Sequence, residues 1–233
     1  ETGWLTERSF ARYLSHTLSE TSEGVELVMI IGLGPLKIYD RYRIVDTLIT
    51  RRISIENAGD DELALCGVRL ALTGVCVGRP ERCRFEAPAS VVRPRLPIAT
   101  LRSDRRHGHW SDAAALEIPA FALAPGDAPG LLALHNDVLG ETLVCWYDDA
   151  THSARPRVEG DGTAATLLHE MRIAERLRME VALSFGVQSI MLHDAPWPAA
   201  LPRVREMMNQ RRLTVPPHAD WIGDAAIFVV HPS

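Results

Sequence analysis

Lysine is almost missing from this 233-residue chain: of 25 Lys and Arg, only Lys37 is lysine. No folding requirement produces that bias, whereas a GC-rich coding sequence does, through its arginine codons. Long apolar runs are missing too. None reaches the roughly 18 residues that a helix needs to cross a bilayer, so no membrane span is expected. The net charge of −5 supplies no basic face and argues against a nucleic-acid partner. Cysteines number four, Cys66, Cys76, Cys83 and Cys145, and none has the CxxC spacing of a zinc ribbon. Asn57, Asn136 and Asn209 all lack the N-x-S/T context, so N-glycosylation is excluded.

The loops that carry common chemistries are absent as well. The sequence contains neither GxSxG nor GxxxxGK[ST]. Gly32-Leu33-Gly34 follows an apolar stretch, as a dinucleotide loop would. The third glycine position is Lys37, however, and Pro35 removes one N–H from the phosphate cradle. A hairpin turn is the reading. His169-Glu170 begins like a helical zinc motif, but Ile173 stands where the second His is required. His107-Gly108-His109, with Asp104 and Asp112, reads as a surface loop, and Asp148-Asp149 with His152 as solvated turn residues. No enzymatic activity and no metal or nucleotide cofactor is expected.

What is present describes a soluble globule, with 46% hydrophobic and 24% charged residues. Glu1-Thr2-Gly3 looks like the remnant of a secretion vector, leaving residues 4–233 as one secreted, extracellular domain. Two disulfides follow from that compartment. Cys76 and Cys83 flank a loop containing Pro80 and suit a local bridge, which leaves Cys66 and Cys145 to join across or between sheets. Buried free thiols are the alternative, and connectivity stays open.

Periodicity gives the elements. In Thr163–Gly186, Ala164, Leu167, Leu168, Met171, Ala174 and Leu177 recur at helical spacing, so a helix capped by Thr163 is expected. From Met179 the period becomes two, and Val181, Leu183 and Phe185 open a strand. Leu5–Leu18 reads as a short helix. Val25–Ile31 and Leu36–Asp46 read as a hairpin across Gly34-Pro35. Further strands are expected in Leu48–Glu56, Leu63–Val77 (bent at Gly74 by a bulge), Leu116–Leu123, Gly130–Asn136, Glu141–Tyr147, Val187–Leu192 and Ala225–Val230. Arg203–Arg211 reads as a short helix. Strands dominate, so the fold class is mainly β: a β-sandwich with one or two packed α-helices.

Binding residues stand out more than catalytic ones. Trp110 and Trp197 lie in loop-like settings and are candidate anchors, with Arg105 and Arg106 as rim charges. Trp146, inside a strand, reads as core. His169-Glu170, then Met171–Met179, then the alternating 180–185 resembles a segment of the poxvirus immune-evasion domain, the β-sandwich family of secreted type-2 chemokine-binding proteins. Residues 23–30 and 130–147 resemble its opening strand and the paired strands before its helix, and the arginine bias suits a GC-rich poxvirus such as a parapoxvirus.

The resemblance implies a secreted viral decoy that sequesters a host cytokine of the GM-CSF or interleukin-2 type; a CC-chemokine-binding protein of the same fold is the alternative. Chemokine binders of the family are strongly acidic, so the mild charge here favours the cytokine decoy. His109-Trp110-Ser111-Asp112 matches only part of the WSxWS-like box associated with that decoy, and both types stay open. An envelope glycoprotein ectodomain and a small hydrolase on a β-rich scaffold are rival classes. Oligomeric state, a homodimer included, is not legible.

Overall fold

Four strands joined by two-residue turns open the described chain: β1 (Ala11–Thr21), β2 (Gly24–Leu33), β3 (Leu36–Val45) and β4 (Leu48–Asn57). Such turns need positive φ, which Gly34 (58°) and Asp46 (51°) supply. At Gly24 the reason is close approach, since an added Cβ would sit 2.1 Å from the Ile44 carbonyl oxygen. The computed structural model describes residues 11–86, 95–100, 116–117, 131–148 and 154–211.

Beyond the meander come β5 (Leu63–Val75), β6 (Cys83–Glu86), β7 (Arg95–Pro97), β8 (Leu116–Glu117), β9 (Leu132–Asn136), β10 (Glu141–Asp148), β11 (Ala154–Gly160), β12 (Ala165–Leu177) and β13 (Ala182–His193). A 3-10 turn at Trp197–Ala200 then leads into helix α1 (Leu201–Arg211). The strands form two antiparallel sheets, ordered β1-β2-β3-β4-β13-β10-β9-β6-β7 and β5-β12-β11-β8. The architecture is a β-sandwich with little helix, as the alternation predicts. Among the described residues no helix is long and apolar enough to cross a membrane.

Two apolar clusters fill the space between the sheets. One gathers Phe85, Leu132, Leu134, Cys145, Val158, Leu167 and Ile190. The other gathers Leu33, Ile53, Ile55, Leu70, Tyr147, Met171, Leu177 and Phe185. A third lies on the outer face of the large sheet, where Val144, Trp146 and Met191 meet Ala200 and Val204 of the helical segment. Trp146 is fully buried there, as a core residue should be. Buried Asn57 and Asn136 close strand ends in the same way: each offers its side-chain oxygen to a following N–H and its amide to a distant carbonyl, Leu177 O for one and Val77 O for the other.

The sequence reading needs two corrections in its elements. The expected helix from Thr163 is the strand β12. The same residues also alternate, with Ala165, Leu167, His169 and Met171 buried, and Glu170 and Arg172 set toward the other face. Both edges of β12 are paired, by β5 and by β11, and these long-range ladders outweigh the helical spacing. The second half of Leu5–Leu18 is likewise strand, because β1 pairs along β2. The expected bulge at Gly74 is present: Ala165 pairs with Val75 but Leu167 with Leu72, and the extra residue falls where Gly74 takes φ 72°. Helix α1 contains the expected Arg203–Arg211. The strand expected at Ala225–Val230 lies outside the described residues.

All four cysteines stand as free thiols, and the two expected pairings fare differently. Cys66 is exposed on β5, whereas Cys145 is fully buried in the inter-sheet core, so their side chains face different environments and cannot bridge. Cys76 and Cys83 do sit together where the chain crosses from the small sheet to the large one. Cys76 Sγ donates to Gly78 O (3.3 Å), and Val77 N–H donates to Cys83 Sγ (3.4 Å).

Burial pushes the Cys83 and Cys145 thiols up to about 12 from an ordinary 9.0; for Cys145, Arg51 and Gln188 pull the other way and are outweighed. The folded value exceeds the unfolded one, so the stability these thiols contribute is fully present below pH 9.0 and lost as pH rises toward about 12. Urea denaturation across that window should show a falling midpoint, with a shallower fall in Cys145→Ala. In the native protein a maleimide should label Cys66 first and Cys145 only on unfolding.

Candidate functional site

The inner face of the large sheet breaks its own apolar pattern. Along β3 the inward positions are Leu36, Ile38, Asp40, Tyr42 and Ile44, and along β4 they are Ile49, Arg51, Ile53 and Ile55. Asp40 and Arg51 therefore carry opposite charges toward the core. Arg51 grips Asp40 with two parallel bonds, Nη2 to Oδ2 at 2.7 Å and Nε to Oδ1 at 2.9 Å. Only 16% of the Arg51 side chain and 5% of the Asp40 side chain reach solvent. Tyr42 donates to Asp40 Oδ2 at 3.0 Å, and the guanidinium lies 5.4 Å from the centre of the Tyr42 ring. Burial opposes the charge on Arg51, but hydrogen bonds and Coulomb attraction from Asp40 outweigh it and hold its pKa above the ordinary value.

The network continues across the sandwich. Arg51 Nη1 donates to Ala71 O on β5 (3.1 Å) and to Gln188 Oε1 on β13 (3.4 Å). Gln188 Nε2 donates to His169 Nδ1 on β12 (3.0 Å), which puts the proton of the neutral ring on Nε2. Tyr147 lies beside that ring at 5.9 Å between centroids, and its hydroxyl accepts from Gly186 N–H. This polar seam runs between the two inter-sheet apolar clusters and bonds one sheet to the other at Ala71 and at His169. Both Asp40 oxygens are engaged, so the seam is a staple and has no carboxylate available as an acid or base.

On the other face of the small sheet, Glu170 accepts from Arg69 (2.8 Å) and Arg157 (3.3 Å). His169 and Glu170 thus point to opposite faces of one strand and share no site. A third polar group closes the far end of the large sheet. Thr142 donates to Ala195 O (2.5 Å), so the 2.9 Å contact between its oxygen and His135 Nδ1 has the ring as donor; His135 Nε2 faces Asp137 at 3.4 Å. This serine-protease-like order of groups has no nucleophile, because Thr142 is fully buried and its proton is engaged. Among the described residues, no group of three or more His, Cys, Asp and Glu is arranged to hold a metal.

Among the described residues, one surface open to a partner is a ledge. Across the described residues the nine-stranded sheet extends past the four-stranded one, and β1 is exposed along its whole length while β2 is half-buried up to Leu33. Register carries rows of side chains from the interior onto this ledge. One runs Gln188, Arg51, Tyr42, Leu27, Leu18, and the next Ile53, Asp40, Met29, His16. The first row inverts the usual order, with polar groups in the middle and apolar ones at the rim. Tyr13 is 59% and Leu18 62% exposed.

Of the residues singled out in the sequence, Trp110, Arg105, Arg106, Asp104, His107, His109, Asp112, Asp149 and His152 lie outside the described residues. Asp148 ends β10. Trp197 is half-buried and packs on the outer cluster beside Leu201 and Met207. Sequence reasoning missed the seam, although its signal was present: Asp40, Arg51 and Gln188 each interrupt an apolar inward row.

No family model and no curated protein matches the chain. Solved structures do resemble it. The GH36 alpha-galactosidase AgaA from Geobacillus stearothermophilus aligns with TM-score 0.53 and 15% identity over 80% of this chain and 28% of that one. The alpha-N-acetylgalactosaminidase NagBb from Bifidobacterium bifidum aligns with TM-score 0.53 and 13% identity over 87% and 31%. The likeness is one of fold. The chain spans under a third of the length of either enzyme.

The seam makes a testable demand. Arg51→Met leaves Asp40 buried and unpaired and should destabilise the fold by about 3–5 kcal/mol. Adding Asp40→Leu should restore most of that loss, because no uncompensated charge then remains. Urea midpoints of the two single variants and the double variant measure it.

Proposed function

We propose that this chain is the β-sandwich unit of a carbohydrate-active protein and acts there as a scaffold, not as the catalyst. The observation that carries the reading is the fold match: four-fifths of this chain aligns with a minor part of the length of enzymes acting on galactosides. The state of the acidic groups supports the scaffold role. Glycoside hydrolysis needs two carboxyl groups flanking the scissile bond. Asp40 and Glu170 are both held by arginines, as a framework would hold them. Assays on aryl α-galactosides and α-glucosides test this. The isolated chain should turn over none, whereas the complete polypeptide encoded by its gene should process at least one glycoside. Turnover by the isolated chain would refute the scaffold role, and inactivity of the complete polypeptide on every glycoside would remove the carbohydrate reading.

Sequestration of a secreted signalling protein is the second reading, and the exposed apolar ledge is the observation that favours it. The helix that carried part of the immune-evasion resemblance is a strand here, and Trp197 packs inward more than an anchor would, so this reading stands second. Surface plasmon resonance against GM-CSF, interleukin-2 and a CC-chemokine panel separates the two. Nanomolar binding to any of them would promote the decoy, and binding to none removes it.

A further inference from the structure

We propose that β1 is a homodimerisation edge, pairing antiparallel with β1 of a second copy about a two-fold axis at His16, so that the two nine-stranded sheets become continuous. The edge itself is the first ground. Among the described residues, β1 runs for 11 residues, is exposed throughout, and is bonded on one side only, to β2. Its outer backbone N–H and C=O groups form a template for another strand. β2 supplies the second ground. It is apolar on both faces, with Val25, Leu27, Met29 and Ile31 inward and Val28 and Ile30 outward, yet every one of these is only half-buried. A strand of that composition belongs in the middle of a larger assembly.

Self-complementarity selects the occupant. The ladder to β2 skips one residue between Tyr13 and Ser15, so Leu14 is an inserted residue and Tyr13 shares a face with His16 and Leu18. The Tyr13 hydroxyl is hydrogen-bonded to His16 Nδ1, consistent with that shared face. An axis at His16 then sets Tyr13 of one copy opposite Leu18 of the other, twice, with both bulges absorbing the inserted Leu14. On the opposite face Ser15 meets Thr17 and Arg12 meets Ser19. Glu20 meets Ala11, so no arginine faces an arginine and no glutamate a glutamate. The apolar rim of each ledge is covered by its own counterpart, as an isologous interface requires.

Sedimentation equilibrium of the purified chain across a dilution series should give a reversible dimer. Tyr13→Glu and Leu18→Lys, made separately, should each weaken it by about tenfold or more, since each change acts twice in a symmetric interface. Mixing the two variants should restore a heterodimer, because the carboxylate introduced in one copy then faces the ammonium introduced in the other, while the second pair remains Tyr13 with Leu18. Misfolded chains could not rescue each other, so recovery on mixing also controls for folding. A monomer at every concentration, a dimer indifferent to both substitutions, or failure of the mixture to recover would each overturn the proposal.

Discussion

The grip of Arg51 on Asp40 is the constraint from which the rest of the sandwich is organised. Two unlike charges in an apolar interior are tolerable only when each is matched in geometry and their remaining hydrogen-bonding capacity is taken up. Tyr42 takes part of the Asp40 demand, and Ala71 and Gln188 take the last donor group of Arg51. Ala71 lies on the opposing sheet, so satisfying Arg51 fixes how far the small sheet can slide over the large one. Gln188 adds a second cross-link by placing its amide against His169. A one-residue slip of β4 would turn Arg51 to the outer face, and a two-residue slip would put an isoleucine in its place; either strands Asp40. The pair therefore acts as a register key, and the apolar clusters on either side supply the bulk of the stabilisation.

Most of the strand inventory was legible, because period-two alternation survives in a single sequence wherever one sheet face is buried. The hairpin at Gly34-Pro35, the bulge at Gly74 and helix α1 were recoverable from turn chemistry and spacing alone. β12 was not. Its apolar residues satisfy helical and strand periods at once, and the choice is made by β5 and β11, of which β5 lies far away in sequence. The candidate site divides in the same way. Asp40, Arg51 and Gln188 could have been noticed as polar residues on inward rows, but that they meet one another is a fact of register between strands. The ledge was invisible for a different reason: it arises from nine described strands facing four, and strand count per sheet is not written in local pattern.

The cysteines bear unevenly on the two pairings expected for them. An even count and no metal spacing suggested disulfides, yet their settings range from exposed Cys66 to fully buried Cys145. Burial accounts for Cys83 and Cys145 without any oxidation, since an unpaired thiol is a compact apolar side chain and packs well in the cluster of Phe85, Leu132 and Ile190. The fold likeness to galactosidase domains is compatible with either redox setting.

The position of β13 has a consequence for how the chain reaches its native state. It sits at the centre of the large sheet, between β4 and β10, although it is the last of the described strands to be synthesised. The β1–β4 meander closes through local turns and can assemble early. Its β4 edge must then wait for distant residues such as Gln188, which faces Arg51 from 137 positions later. Closing that contact carries a large loop-entropy penalty before any packing rewards it. Until it closes, half of the seam is exposed and the sheet is split in two. A nascent or truncated chain lacking β13 would carry open edges at β4 and β10 that the finished molecule closes, and its hazard during synthesis is aggregation.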